Sequence, residues 1–328
     1  LDKLIEAIAR SGNPSVVGLD PTPALIPSQL MPTPGKDQNT AGTQPAHVDD
    51  GDDVDRARSL ADAYLRFNRA VMEGVQGIVP AVKPQIAMYE ALGQEGVRAY
   101  IRSCALAQEM GFSVIGDIKR GDIGSTASAY ASHLSGVPGG RGSSPWHEDA
   151  ITVNPYLGSD GITPFAQAAE ASDTDLFVLV RTSNPSSGEV QELKTEDGRA
   201  VYECVADLVS EWGRESIGEH GYSRLGAVVG ATHPQAGRSL RARMPHTFFL
   251  IPGYGAQGGS AQDVAAMFDD HASGALVNSS RGIIGAWRTS EGYSPDMSVE
   301  EACDTVSQCA RAAAIAMRDT LLAALDAR

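Results

Sequence analysis

The chain runs to 328 residues, 42% of them apolar and 20% charged, and its 26 Lys and Arg against 41 Asp and Glu give a formal net charge of −15. Such a length and apolar content suit one large globular domain with a substantial core and exclude a disordered chain. The acidic balance excludes a nucleic-acid surface, which needs clustered cations, so an anionic ligand would have to be held by a few local ones.

The first residues, LDKLIEAIAR, read as the start of an amphipathic helix rather than a signal peptide. No apolar run approaches the ~18 residues of a membrane span. Cys104, Cys204, Cys303 and Cys309 show no C-x-x-C spacing. Free thiols in a cytoplasmic protein are therefore expected, without a disulfide or zinc framework.

A first strand is predicted over 15–20 (SVVGLD), followed by a polar, acidic, Pro- and Gly-rich stretch, 31–55, read as a surface insertion. A helical pattern over 56–75 leads to a second strand at 79–85 (VPAVKPQ), and another over 95–111 leads to a third at 112–118 (FSVIGDI). After a helix over 125–134 comes a second polar loop, 136–148, expected like the first insertion to tolerate change, and then a fourth strand at 150–155. Strands at 175–182, 225–231, 247–253 and 274–280 follow, with helical patterns at 162–172, 200–216, 234–244, 260–271 and 298–327. Eight β-then-α units with near-continuous β-branched strands predict a (β/α)8 barrel, a single domain over 1–328. His47 and His147 fall in the two polar loops with no second ligand at metal spacing, so no metal site is expected.

In such a barrel the active residues come from the C-terminal ends of the strands. Those ends carry Asp20, Lys83, Asp117 with Lys119, Asn154, Arg181 and three polar loops, GATHP, PGYGAQGGS and NSSRGI. Asp117 and Lys119 are two apart and share one face of a strand. Alone they could be a structural ion pair, with Asp122 capping the next helix. With Lys83 and Asp20 converging on them they read as a charge cluster of the kind that perturbs pKa values and marks a catalytic site. Arg120 points to the other face and reads as structural or surface. Opposite this cluster, the Gly-rich PGYGAQGGS loop and Arg281 stand after strands seven and eight, where phosphate-binding barrels hold phosphate. The segment RTSNPSSGEV, 181–190, is either an ordinary polar loop or a lid that reads a planar polar ring.

These motifs together resemble the orotidine 5′-phosphate decarboxylase family, in its larger bacterial branch. The resemblance lies in GLDPTP, AVKPQ, DIKRGDIGST, NPYLG, TSNPSS, GATHP, IPGYGAQGG and SSRGI and covers nearly the whole chain. It implies decarboxylation of orotidine 5′-monophosphate to uridine 5′-monophosphate in de novo pyrimidine biosynthesis, by a homodimer with no metal and no organic cofactor. Lys119 would donate a proton to C6 of the pyrimidine, Asp117 would lie near the substrate carboxylate, and Lys83 would hydrogen-bond Asp117 and the ribose. Asp20 would bind a ribose hydroxyl and Ser183 the ring. Gln257, Gly258 and Arg281 would hold the phosphate, and Asp122 and Thr126 would reach into the partner's site. The D-x-K-x-x-D element is also shared by metal-dependent barrels acting on keto-sugar phosphates, which commonly carry a Glu after strand two, where this chain has Lys83. A non-catalytic barrel that senses a sugar phosphate is the other alternative, and no output module accompanies it.

Overall fold

The computed structural model describes residues 1–32, 50–140 and 143–328. Eight parallel strands close into a barrel in sequence order: β1 (Ser15–Leu19), β2 (Ala81–Pro84), β3 (Ser113–Arg120), β4 (Ala150–Val153), β5 (Asp175–Arg181), β6 (Leu225–Val229), β7 (Phe249–Ile251) and β8 (Ala275–Ser279), with β8 pairing back onto β1. The expected (β/α)8 architecture is thus present.

Helix α1 (Asp2–Ser11) precedes the barrel, and α2 (Asp50–Val75) follows β1. After β2 come α3 (Ile86–Glu90) and α4 (Gly93–Glu109), after β3 α5 (Gly124–Ser135), and after β4 α6 (Thr163–Ser172). Strand β5 leads into α7 (Gly188–Gln191) and α8 (Val201–Gly213), β6 into α9 (Pro234–Arg243), and β7 into α10 (Ala261–Ala265). Finally α11 (Arg281–Ile284) and α12 (Val299–Asp326) follow β8. No helix among the described residues is long and apolar enough to cross a membrane.

Side chains alternate along each strand, so one set faces the lumen and the other the helices. Val16, Ala81, Ile115, Ala150, Phe177, Phe248 and Leu276 form an apolar layer low in the barrel, and Leu4 and Ile5 of α1 plug it from below. Two residues further along the strands, the lumen carries Lys83, Asp117, Thr152, Leu179, Val228, Leu250 and Asn278, all of which line one cavity. The apolar layer supports the site, and the polar layer above it is the site.

Three sequence expectations change. Of the 31–55 insertion, residues 33–49, including His47, lie outside the described residues, and 50–55 form the first turns of α2 rather than loop. The 136–148 segment is not freely variable at its end: Trp146 stacks on His133 at 3.9 Å between ring centroids, and the buried Glu148 binds His133 at 2.7 Å and accepts from the Tyr100 hydroxyl. The helix after β7 stops at Ala265, short of the 260–271 pattern: Met267 and Phe268 donate three residues back, to Val264 O (2.9 Å) and Ala265 O (3.1 Å), and Asp269 then takes the N–H groups of His271 and Ser273 in a turn.

Candidate active site

Asp117 organises the cavity. Its Oδ2 accepts from Lys83 Nζ at 2.6 Å and Gln85 Nε2 at 3.0 Å, and its Oδ1 from Lys119 Nζ at 2.5 Å and Thr152 Oγ1 at 3.0 Å. Four donors around one carboxylate leave little freedom to rotate. Burial alone would raise the Asp117 carboxyl, yet the two ammonium groups override it and hold it well below the usual carboxylate range. Burial would likewise lower Lys83, and Asp117 together with Asp20 reverses that, keeping it protonated above its ordinary value. Lys83 is buried, whereas the Lys119 side chain keeps 45% of its exposure and faces the open cavity.

The two ends of D-I-K are brought together by a distorted strand. Lys119 has φ 46°, and the β3–β4 ladder slips between Gly116 and Arg120. A left-handed residue without a glycine is costly and marks a site where geometry is imposed. The Lys119 N–H is held by Thr152 Oγ1 at 3.0 Å, so Thr152 fixes both members of the pair. Arg120 turns away to pair with Glu90 and lie over Tyr130, the structural role expected of it.

The cavity holds about 470 Å³ and divides into a charged side and an apolar side. Leu179, Val228, Leu250, Pro252 and Tyr254 face the Asp117 cluster, a shape suited to a flat ring with one reactive edge. Asp20 and Asn278 also line it, and Asp20 Oδ1 and Asn278 Oδ1 are buried acceptors with no hydrogen-bond partner. A Cβ at Gly18 would sit 1.9 Å from Ser280 Oγ, so the glycine makes room for the Ser280 side chain just past β8.

Gln257, Arg281 and Ser183 line the same cavity, and Ser183 and Gln257 meet at Gly253. Gly253 has φ 93°, and a Cβ there would lie 2.9 Å from the Ser183 Cβ, so the loop after β7 passes hard against the loop after β5. Gly258 does not line the cavity, and its N–H is spent on Gly255 O at 2.8 Å. Gly255 and Gly259 also donate within the loop.

Asp122 and Thr126 stand outside the cavity of their own barrel, and Asp122 caps no helix: the N-cap of α5 is Ile123, whose N–H Asp122 accepts at 2.8 Å. Around Asp122 lie exposed apolar side chains, Ile123 at 52% and, on the adjoining β4 loop, Tyr156 at 83% and Leu157 at 46%. Asn154 also misses the cavity and accepts from the Tyr156 N–H at 3.0 Å, which shapes that loop. Among the described residues no group of three or more His, Cys, Asp or Glu could hold a metal ion.

A family model for orotidine 5′-phosphate decarboxylase / HUMPS matches residues 66–292, which takes in every cavity-lining residue but Asp20. The chain belongs to this family. The orotidine 5′-phosphate decarboxylase of Rhodopirellula baltica is 42% identical over 290 residues, 88% of this chain and 89% of the relative. That of Clostridium acetobutylicum is 40% identical over 264 residues, 80% of this chain and 86% of the relative. Among solved structures, the OMP decarboxylase of Leishmania donovani superposes with a TM-score of 0.69 at 29% identity, covering 99% of this chain and 98% of that one. Within the decarboxylase / HUMPS barrel of this chain, Gln85, Thr152, Tyr254 and Asn278 are site residues that the sequence reading did not single out. Thr152 had a signal, a lone polar residue inside an otherwise apolar strand, and Asn278 stands at the polar end of β8. Gln85 and Tyr254 had only their places in motifs already noted.

Proposed function

We propose that this protein decarboxylates orotidine 5′-monophosphate to uridine 5′-monophosphate and carbon dioxide in pyrimidine biosynthesis, as a homodimer using neither metal nor organic cofactor. The observation that carries this reading is the Lys83–Asp117–Lys119 array in a cavity that Gln257 and Arg281 also line. As the C6–carboxylate bond breaks, its electron pair stays on C6 in the plane of the ring and cannot delocalise. A cation fixed beside that carbon lowers the barrier, and one of its protons completes the product. Lys119 has the exposure to meet C6 and, in Asp117, the neighbour to aim it.

In this reading Asp117 lies near the departing carboxylate, and Lys83 bridges Asp117 and the ribose. Asp20 takes a ribose hydroxyl, Ser183 meets the ring, and Gln257 and Arg281 hold the phosphate. Phosphate contacts remote from C6 supply binding energy that can be used at the reacting end. Asp122 and Thr126 act in the partner's site, supported by the exposed apolar side chains beside Asp122. Four free cysteines suit the proposed cytoplasmic setting.

The test is loss of the ultraviolet absorbance of orotidine 5′-monophosphate with purified protein, run with and without a chelator. Turnover unaffected by the chelator is expected. No turnover would overturn the assignment, and turnover abolished by chelation would overturn its metal-free part.

A further inference from the structure

Arg181 ends β5 and by strand alternation should follow Leu179 into the lumen, but it does not line the cavity. The reason is a bulge: Leu179 is paired with Val228 and Arg181 with the very next residue, Val229, so one residue of β5 is left over and the alternation reverses. Its guanidinium is 1% exposed and lies 5.6 Å from the centroid of the Tyr202 ring on α8. A buried cation at this position is costly unless several partners meet it.

Those partners all belong to one loop. Nη1 donates to Ser187 Oγ at 2.5 Å and Gln191 Oε1 at 3.0 Å, and Nη2 to Glu192 Oε1 at 2.5 Å. Gln191 passes the constraint on, accepting from the Thr182 N–H at 3.0 Å and donating to Thr182 Oγ1 at 2.7 Å. Thr182 Oγ1 in turn donates to Asn184 Oδ1 at 2.6 Å. Thr182, Ser183 and Asn184 are the segment of this loop that lines the cavity. The rest of the loop has only one short turn of helix, α7, and the three residues Pro185–Ser187 to stiffen it. A planar fork that reaches three acceptors spread over six residues is a task for Arg and not for Lys.

We infer that Arg181 is the positioning residue of the base-reading loop, acting through Gln191 on Thr182 and thus on Ser183 and Asn184. The inference rests on the nucleotide reading of the cavity. It makes Arg181 a determinant of how tightly the pyrimidine ring is held, without touching the ring itself.

The test compares the affinity of wild type, Arg181→Lys and Gln191→Ala for uridine 5′-monophosphate and for ribose 5-phosphate, by calorimetry. Both variants should lose about tenfold or more in affinity for the nucleotide while ribose 5-phosphate stays within about twofold, with a matching rise in KM for the orotidine nucleotide. A general loosening of the fold would weaken both ligands equally, and that result, or an unchanged nucleotide affinity, overturns the inference. Gln191 is partly exposed, so its variant carries the test if Arg181→Lys fails to fold. The comparison needs no turnover: a wild type that binds the two ligands in the expected ratio yet releases no carbon dioxide would sink the decarboxylase reading and leave this one standing.

Discussion

Lys119 reaches Asp117 at 2.5 Å along its own strand because its backbone turns to φ 46°, which brings its ammonium back over the carboxylate two residues earlier. The cation is thereby fixed before any ligand arrives, which is what stabilisation of a developing carbanion needs. Lys119→Ala should lower kcat by at least about 10³-fold, since both the electrostatic and the proton-donor roles proposed for it are lost together. Affinity for uridine 5′-monophosphate should change by less than about threefold, because the phosphate and ribose contacts remain. Near-normal turnover in steady-state assays of this variant would refute the role given to Lys119.

The same array sets a pH dependence. Asp117 is held well below the usual carboxylate range, against burial, by Lys83 and Lys119. A carboxylate depressed in the folded state contributes stability that is fully present above its ordinary pKa, about 3.9, and is lost as pH falls through the depressed value. The expected result is that the carboxyl ¹³C resonance of Asp117, assigned with an Asp117→Asn variant, stays at the ionised position from pH 8 down to about pH 4. A titration midpoint above that of an ordinary Asp would show that burial, not the lysines, controls this group.

How much of this was legible in the sequence depends on how local the cause is. The barrel was legible because each strand is a short apolar run and each helix keeps its own period, and Asp117, Lys119 and Lys83 were legible because charges at the ends of such runs are conspicuous. Gln85 and Thr152 were not, since their part is set by which residue of a neighbouring strand stands beside Asp117, a matter of ladder register. The role of Arg181 was not legible for a related reason: its direction is reversed by a bulge in the β5–β6 ladder that no periodicity announces. The acidic start of α2 was read as loop because charged, Gly-containing residues carry no apolar face of their own.

Arg281 is exposed at the cavity rim, past the end of β8, where a bidentate donor can meet a phosphate. Arg281→Ala should raise KM for orotidine 5′-monophosphate by about 100-fold. Orotidine without its phosphate should be turned over slowly and equally by the two proteins, because the lost contact has nothing to act on. Equal damage with both substrates would place Arg281 in the support of the loop and not in phosphate binding.

Glu148 ties the end of the 136–148 segment into the core through His133 and Tyr100. Its side chain is fully buried, and Gly116 on β3 is a glycine because a Cβ there would come within 2.1 Å of Glu148 Oε1. Glu148→Ala leaves two buried polar partners unpaired and should cost about 2–5 kcal/mol in urea unfolding, while Val137→Ser, at an exposed position of the same segment, should change stability by less than about 0.5 kcal/mol. Equal, small losses at both sites would restore the view of the whole segment as a tolerant surface loop.

Asp122 and Lys119 lie three residues apart in sequence, yet only Lys119 faces the cavity of its own barrel. If Asp122 completes the site of the neighbouring subunit, Lys119→Ala and Asp122→Ala each inactivate the protein for a different reason. In a mixed dimer one site then carries both defects and the other carries none. Random exchange at equal concentrations makes half of the dimers mixed, each with one intact site of two, so activity should return to about a quarter of wild type. The assay is turnover after co-refolding of the two variants, with subunit exchange verified by native mass spectrometry. Exchange without recovered activity would place Asp122 in its own subunit's fold and remove it from catalysis.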